Sequence, residues 1–236
     1  MVGLYLYDST LLLNANEGIL CSTLSGRWNV HFGSERFLLR GKEPYLPNPF
    51  LPYRPIYRLR WCLEGGTEDI GSAWQPPKIG PYWILCPLTW GMVMALFVMI
   101  PAGLFSRFGV AALVLGLIFF YSNAITALIY VALKRELFGL SLRKVAAMAF
   151  ESLTCPPFAI NLVRHISLSL PISEDLLVSG RQLVPADSLP PILSAAVTRV
   201  ESAIDWETEG SERANALGKH QLLLSNELKA CQDKNS

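Results

Sequence analysis

The sequence predicts an α+β membrane protein: a small N-terminal β-rich domain, a two-helix transmembrane hairpin, interfacial amphipathic helices and a C-terminal helical region. Three observations carry that expectation. Residues 84–133 contain one charged side chain, Arg107, and no acid. Short apolar runs that alternate with polar residues and end in turn residues fill much of the chain before residue 62. After residue 190, apolar residues recur at helical spacing. The averages, 51% hydrophobic and 17% charged, conceal how unevenly the charge is distributed.

Leu4, Leu6 and the flanking tyrosines read as a short extended run that ends at Asp8-Ser9. A second run, Leu11 to Leu13, stops at the turn residues Asn14 to Gly18. From Arg27 to Phe32 the chain alternates, with Trp28, Val30 and Phe32 on one face, as a half-buried strand does. Gly33 to Arg36 reads as a turn and Phe37 to Arg40 as the returning strand. Pro44, Pro47, Pro49, Pro52 and Pro55 exclude a helix and favour extended chain. They predict a rigid connector laid across a surface, with a docking segment as the alternative. Tyr57, Leu59 and Trp61 then alternate with Ile56, Arg58 and Arg60, which adds a strand. Gly65-Gly66 through Gly71 reads as a loop, and Pro76-Pro77 and Pro81 lead out of this domain, residues 1–80.

The hairpin occupies residues 81–133, with spans at about 83–104 and 110–133. About 20 apolar residues at 1.5 Å each match a hydrocarbon core about 30 Å thick. Trp74, Tyr82, Trp83 and Trp90 surround the entry, where amphipathic rings favour the headgroup zone. Pro87 lies near the first turn; Pro101 is expected to kink or end the first helix. In the second span, Asn123 needs a hydrogen-bond partner, and Ala112, Gly116, Ser122 and Thr126 offer small surfaces; all five are helix-packing candidates. Basic residues set the orientation. Lys134, Arg135, Arg143 and Lys144 follow the second span, Lys78, Arg54, Arg58 and Arg60 precede the first, and Arg107 alone marks the turn. The rule that cytoplasmic flanks are positive places the N- and C-terminal regions in the cytoplasm. Met1 to Leu13 lacks the pattern of a secretory leader. The expected location is a bacterial inner membrane.

Residues 134–170 carry five basic and two acidic groups, and anionic lipid headgroups would be attracted near Lys134, Arg135, Arg143 and Lys144. Within this segment Val145 to Val163 is nearly span-length but contains Glu151, Asn161 and Pro156-Pro157. Two short interfacial helices broken at Cys155-Pro156-Pro157 are the leading expectation; a re-entrant or buried helix and a third span are the alternatives. Residues 171–236 carry six basic and ten acidic groups. A helix is expected from Ile192 to about Trp206, burying Leu193, Val197, Val200 and Ile204. Gly210 should divide it from a second, Glu212 to Leu228, with Ala216, Leu223 and Leu224 inward and a frayed end from Cys231.

Few patterns point to chemistry. His31, His165 and His220 are far apart, no HExxH occurs, and Cys21, Cys62, Cys86, Cys155 and Cys231 form no CxxC, so no metal site is expected. An odd, scattered set of cysteines argues against a disulfide framework. No glycine-rich phosphate loop is present, and neither Ser25 nor Ser72 sits in a nucleophile elbow. Charge is not clustered as in a nucleic-acid binder. The weak functional candidates are Glu151, Cys155 and His165: a Cys–His pair beside a proline break, with a carboxylate nearby. No cofactor and no catalytic residue is identified. The expected role is a non-catalytic accessory or assembly subunit, its partners other membrane protein subunits. A small enzyme acting on a lipid or lipid-linked substrate, and a homo-oligomeric channel or transporter component, are the alternatives.

Overall fold

The structure is a computed structural model that describes residues 2–22, 26–65, 79–105, 107 and 109–235. The expected loop after Gly65, together with Ser25, Ser72, Trp74, Pro76, Pro77 and Lys78, lies outside the described residues. The segments 1–80, 81–133, 134–170 and 171–236 follow chain order; contacts group the chain differently, into two interleaved units. The first comprises residues 1–10, 46–56 and 77–171, the second 11–45, 57–76 and 172–236.

The first unit opens with helix α1, Val2–Ser9, where the sequence predicted a strand. Helical spacing puts Tyr5, Asp8 and Ser9 on one side, and each finds a partner there. Tyr5 packs edge-on against Phe97 and donates its hydroxyl to the Pro49 carbonyl. Ser9 Oγ donates to the Tyr5 carbonyl. Tertiary contacts override the alternation that suggested extended chain.

The hydrophobic hairpin follows. Its first arm runs from Gly80 to Leu104 as α2, Gly80–Trp83, α3, Leu85–Met94, a π-helical turn, Ala95–Met99, and α4, Ile100–Leu104. Its second arm is α5, Gly109–Leu133. Each arm is 25 residues long and apolar enough to cross a membrane. The expected disturbance at Pro101 takes the form of the π turn. Proline has no amide hydrogen and its ring crowds the carbonyl four residues back. The chain widens ahead of it, and the Ile100 amide bonds to Ala95, five residues back.

Small residues let the two arms approach. A Cβ on Gly103 would lie 2.7 Å from that of Ala112, one on Gly116 would lie 2.8 Å from Ile100 Cγ1, and one on Gly91 would lie 2.7 Å from Asn123 Oδ1. Ala112, Gly116 and Asn123 therefore pack within the hairpin itself. Ser122 and Thr126 remain exposed, and Thr126 Oγ1 donates to the Ser122 carbonyl, a bond local to the helix.

Beyond the hairpin come α6, Leu142–Thr154, α7, Pro156–Ile160, and α8, Leu162–Leu168. Ser141 caps α6 by accepting from the Lys144 amide. The predicted break at Cys155-Pro156-Pro157 is present, and a second break falls at Asn161. The stretch 145–163 is therefore not one long helix. Two clusters join these helices to the hairpin. Tyr82, Leu85, Leu128 and Val131 pack with Phe138, Val145, Met148, Val163 and Ile166. Met92, Ala95, Phe120 and Ala124 pack with Tyr5, Ala159 and Ile160. The proline-rich connector is laid across a surface: Tyr53 faces both Trp83 and Trp90 at 6.4 Å.

The second unit contains two small sheets. Strand β1, Leu11–Leu13, pairs antiparallel with β4, Glu43–Tyr45. The other sheet has the order β3-β2-β5, with β2 Glu17–Ser22, β3 Trp28–His31 and β5 Ile56–Arg60. Trp28 and Val30 are buried while Asn29 and His31 are not, as the alternation predicted. The expected strand at Phe37 to Arg40 is instead part of a tight turn. Arg40 and Gly41 both take positive φ, 54° and 75°, and Leu39 and Lys42 exchange backbone bonds.

Helices α9, Leu176–Leu183, α10, Leu189–Ile204, and α11, Glu212–Asn235, complete this unit. α10 and α11 form the expected helical hairpin, and Gly210, at φ 79°, makes the turn. α10 buries Ile192, Leu193, Ala196, Arg199 and Val200. On α11 the buried leucines are Leu217 and Leu224, whereas Leu223, predicted inward, is exposed. The helix also continues past Leu228 through Cys231.

Candidate functional site

The densest polar cluster of the first unit is built by α1 and the α7–α8 junction. Asp8 and Ser9 come from the last turn of α1. Asn161 sits where α7 ends, and Arg164 and His165 follow within α8. The break at Asn161 frees its amide to bond sideways. Its Nδ2 donates to Asp8 Oδ2 at 2.8 Å and to Ser9 Oγ at 3.0 Å. Its Oδ1 accepts from Arg164 Nη1 at 3.0 Å.

Arg164 is buried, and its guanidinium is spent on fixed acceptors. Nη1 also donates to Ser9 Oγ, and Nη2 donates to the carbonyls of Asn48 and Leu51. One buried cation thus ties α1, α8 and the connector together, with Asp8 as its nearby counter-charge. Burial pushes the Asp8 carboxyl up, but bonds from His165 and Asn161 and the Arg164 charge outweigh it and hold it below its ordinary value.

His165 Nε2 lies 3.1 Å from Asp8 Oδ2. A carboxylate only accepts, so Nε2 carries the hydrogen in that contact. The other side of the ring system is occupied too: the imidazole stacks on Phe158 at 3.8 Å and 9°. The structure therefore gives His165 a carboxylate and an aromatic partner, neither of them among the residues singled out with it. Glu151 and Cys155 are exposed, and among the described residues neither makes a side-chain hydrogen bond or ion pair. The three weak candidates are not brought together by bonds. Asp8 was missed because it reads as a turn residue closing a strand, and its partner His165 is 157 residues away.

The second unit has its own buried cation, Arg199 on α10. Nη2 donates to Glu43 at 2.6 Å and to the Gly33 carbonyl, Nη1 donates to Glu35, and the guanidinium lies 4.4 Å over the Phe32 ring. Gly33 admits this arrangement, since a Cβ there would fall 2.4 Å from that of Glu43. An open cleft of about 1070 Å³ is lined by Cys62, Asp175, Arg181, His220 and Glu227 among others. Its main polar groups are already committed. Asp175 caps α9 and accepts from the Cys62 amide, Arg181 grips Glu227 through two parallel bonds, and His220 Nδ1 donates to the Leu63 carbonyl.

Among the described residues no group of three or more His, Cys, Asp and Glu side chains is placed to hold a metal ion. Comparison with protein families, curated proteins and solved structures gives no match for this chain.

Proposed function

We propose that this chain is an integral membrane protein whose hairpin crosses the bilayer, and that it serves as a non-catalytic accessory or assembly subunit of a larger membrane complex. The observation that supports membrane residence is the outer surface of the hairpin. Only 28% of the most apolar window of each arm is buried. A soluble core helix would be mostly covered. Phe105 is 93% exposed, Val110 77% and Ile118 57%. Hydrocarbon tolerates such a surface and water does not.

An accessory role fits the way polar groups are used. Arg164 fastens elements of the first unit to one another, and Arg199, Arg181 and Asp175 fasten those of the second, which leaves surfaces of each available for neighbours. The exposed Ser122 and Thr126 face of α5 and the acidic C-terminal helices are the surfaces offered to other membrane subunits. Lys134, Arg143 and Lys144 are exposed just past the second arm, where anionic headgroups would meet them. The same residues favour both flanks of the hairpin in the cytoplasm and the Arg107 turn outside, the orientation expected in a bacterial inner membrane. The test is purification in mild detergent. The reading predicts partners at fixed stoichiometry that survive a density gradient; a monodisperse monomer with turnover of its own would overturn it.

A further inference from the structure

The two sides of the hairpin define a level in the membrane. On one side, α1 and α7 cover Met92, Ala95 and Phe120, and α6 and α8 cover Leu128 and Val131. On the side they leave open, the same stretch exposes Ile84 and Met94 on the first arm and Ile125, Ile129 and Leu133 on the second. A bilayer is a slab, so a helix segment whose open side needs lipid is at lipid depth on its covered side as well. Whatever packs there lies at that depth and must itself face acyl chains wherever it is not shielded.

The covering helices have the surfaces this requires. α1 is inside-out for a helix in water. Its polar residues Asp8 and Ser9 turn inward to Asn161, Arg164 and His165, while Leu4, 60% exposed, and Tyr7, 83% exposed, turn outward. α6 has three faces. Val145, Met148 and Ser152 are buried. Arg143, Lys144 and Glu151 share a polar face. Between them Leu142, Ala146, Phe150 and Leu153, spaced four, four and three residues apart, form an exposed apolar stripe, with Phe150 70% exposed. A helix lying along the headgroup boundary has this division: protein to one side, acyl chains beneath, water and headgroups above.

We infer that α1 and α6 form a collar around the hairpin, α6 near the end marked by Tyr82, Leu85 and Val131 and α1 nearer the middle beside Met92 and Phe120, both seated in the acyl region, with the Asp8–Asn161–Arg164–His165 cluster shielded behind α1. The ligand of this surface is the lipid chain itself. The inference rests on the membrane reading above and extends it to two elements that are neither long nor continuously apolar.

The test uses the full chain in vesicles of phosphatidylcholine and phosphatidylglycerol. Native cysteines are replaced, and an environment-sensitive fluorophore is placed singly on V98C, L4C, F150C and E151C. Val98 is a reference on the hairpin. The collar predicts that lipids brominated along their chains quench L4C and F150C as strongly as V98C, that aqueous iodide leaves both unchanged, and that iodide quenches E151C. Iodide quenching of L4C or F150C would overturn the collar by showing a water-facing surface. Loss of access to both quenchers at either site would overturn it in favour of a covering protein. If V98C itself escapes the brominated lipids, the membrane reading fails along with the collar.

Discussion

Arg164 shows how much one buried cation can organise. The cation bonds to Ser9, Asn161 and two connector carbonyls, so removing it strands several acceptors at once. Each buried acceptor left without its donor costs about 1–3 kcal/mol, so losing several costs about 3 kcal/mol or more. R164M should therefore lower the melting temperature of the detergent-solubilised protein by about 6 °C or more for a chain of this length. D8N should act in the same direction, and the double variant should lose less than the two single losses combined. Additive losses would show that the pair is not coupled. Two groups of the second unit set a pH dependence. Burial lowers the pKa of His31, so the folded chain binds fewer protons than the unfolded one below about 6.5. Stability should fall as pH drops through that value and level off under the folded one. H31Q should flatten that slope in denaturation curves. Burial pushes the Glu17 carboxyl up, the opposite of its effect on His31, but the Asn14 amide, Arg58 and Arg60 outweigh this and lower it. Its contribution is present above about 4.5 and disappears as pH falls further.

Among the elements, the hairpin is held by close approach rather than by large side chains. G91L and G103L must separate the arms, because a Cβ alone already meets Asn123 or Ala112 too closely. Each should cost about 1–3 kcal/mol, the usual range for overpacking. G80A, with open space around it, should be neutral. Disulfide cross-linking between cysteines introduced at Ala95 and Phe120 would report the separation; unchanged cross-linking in G91L would contradict the seam. The legibility of each element in the sequence follows its physics. The hairpin was legible because scarcity of charge over fifty residues has few other causes, and β3, β5 and the α10–α11 pair followed from simple periodicity. α1 was not, because its polar residues face inward, and a pattern read for water assigns the wrong face and then the wrong period. The turn at Arg40-Gly41 was hidden because a non-glycine residue adopts the left-handed conformation. The candidate site was half legible: His165 was singled out, but its partner Asp8 lies at the other end of the first unit's chain order, and local spacing cannot reveal that. Ala112, Gly116 and Asn123, singled out for helix packing, meet the other arm of the same hairpin.

For the whole molecule, charge distribution argues for one orientation. Arg107 alone marks the turn, while Lys134, Arg135, Arg143 and Lys144 follow the second arm. A cysteine introduced at Arg107 should react with an impermeant thiol reagent added outside intact cells, and one at Lys219 should not react until the cells are opened. The reverse pattern would invert the topology. The most direct test of membrane residence is extraction of membranes from cells expressing the full chain. The protein should stay in the pellet through an alkaline carbonate wash and enter solution only with detergent, because the outer face of the hairpin has no other suitable solvent. Release by carbonate alone, followed by monodisperse behaviour in detergent-free buffer, would contradict it.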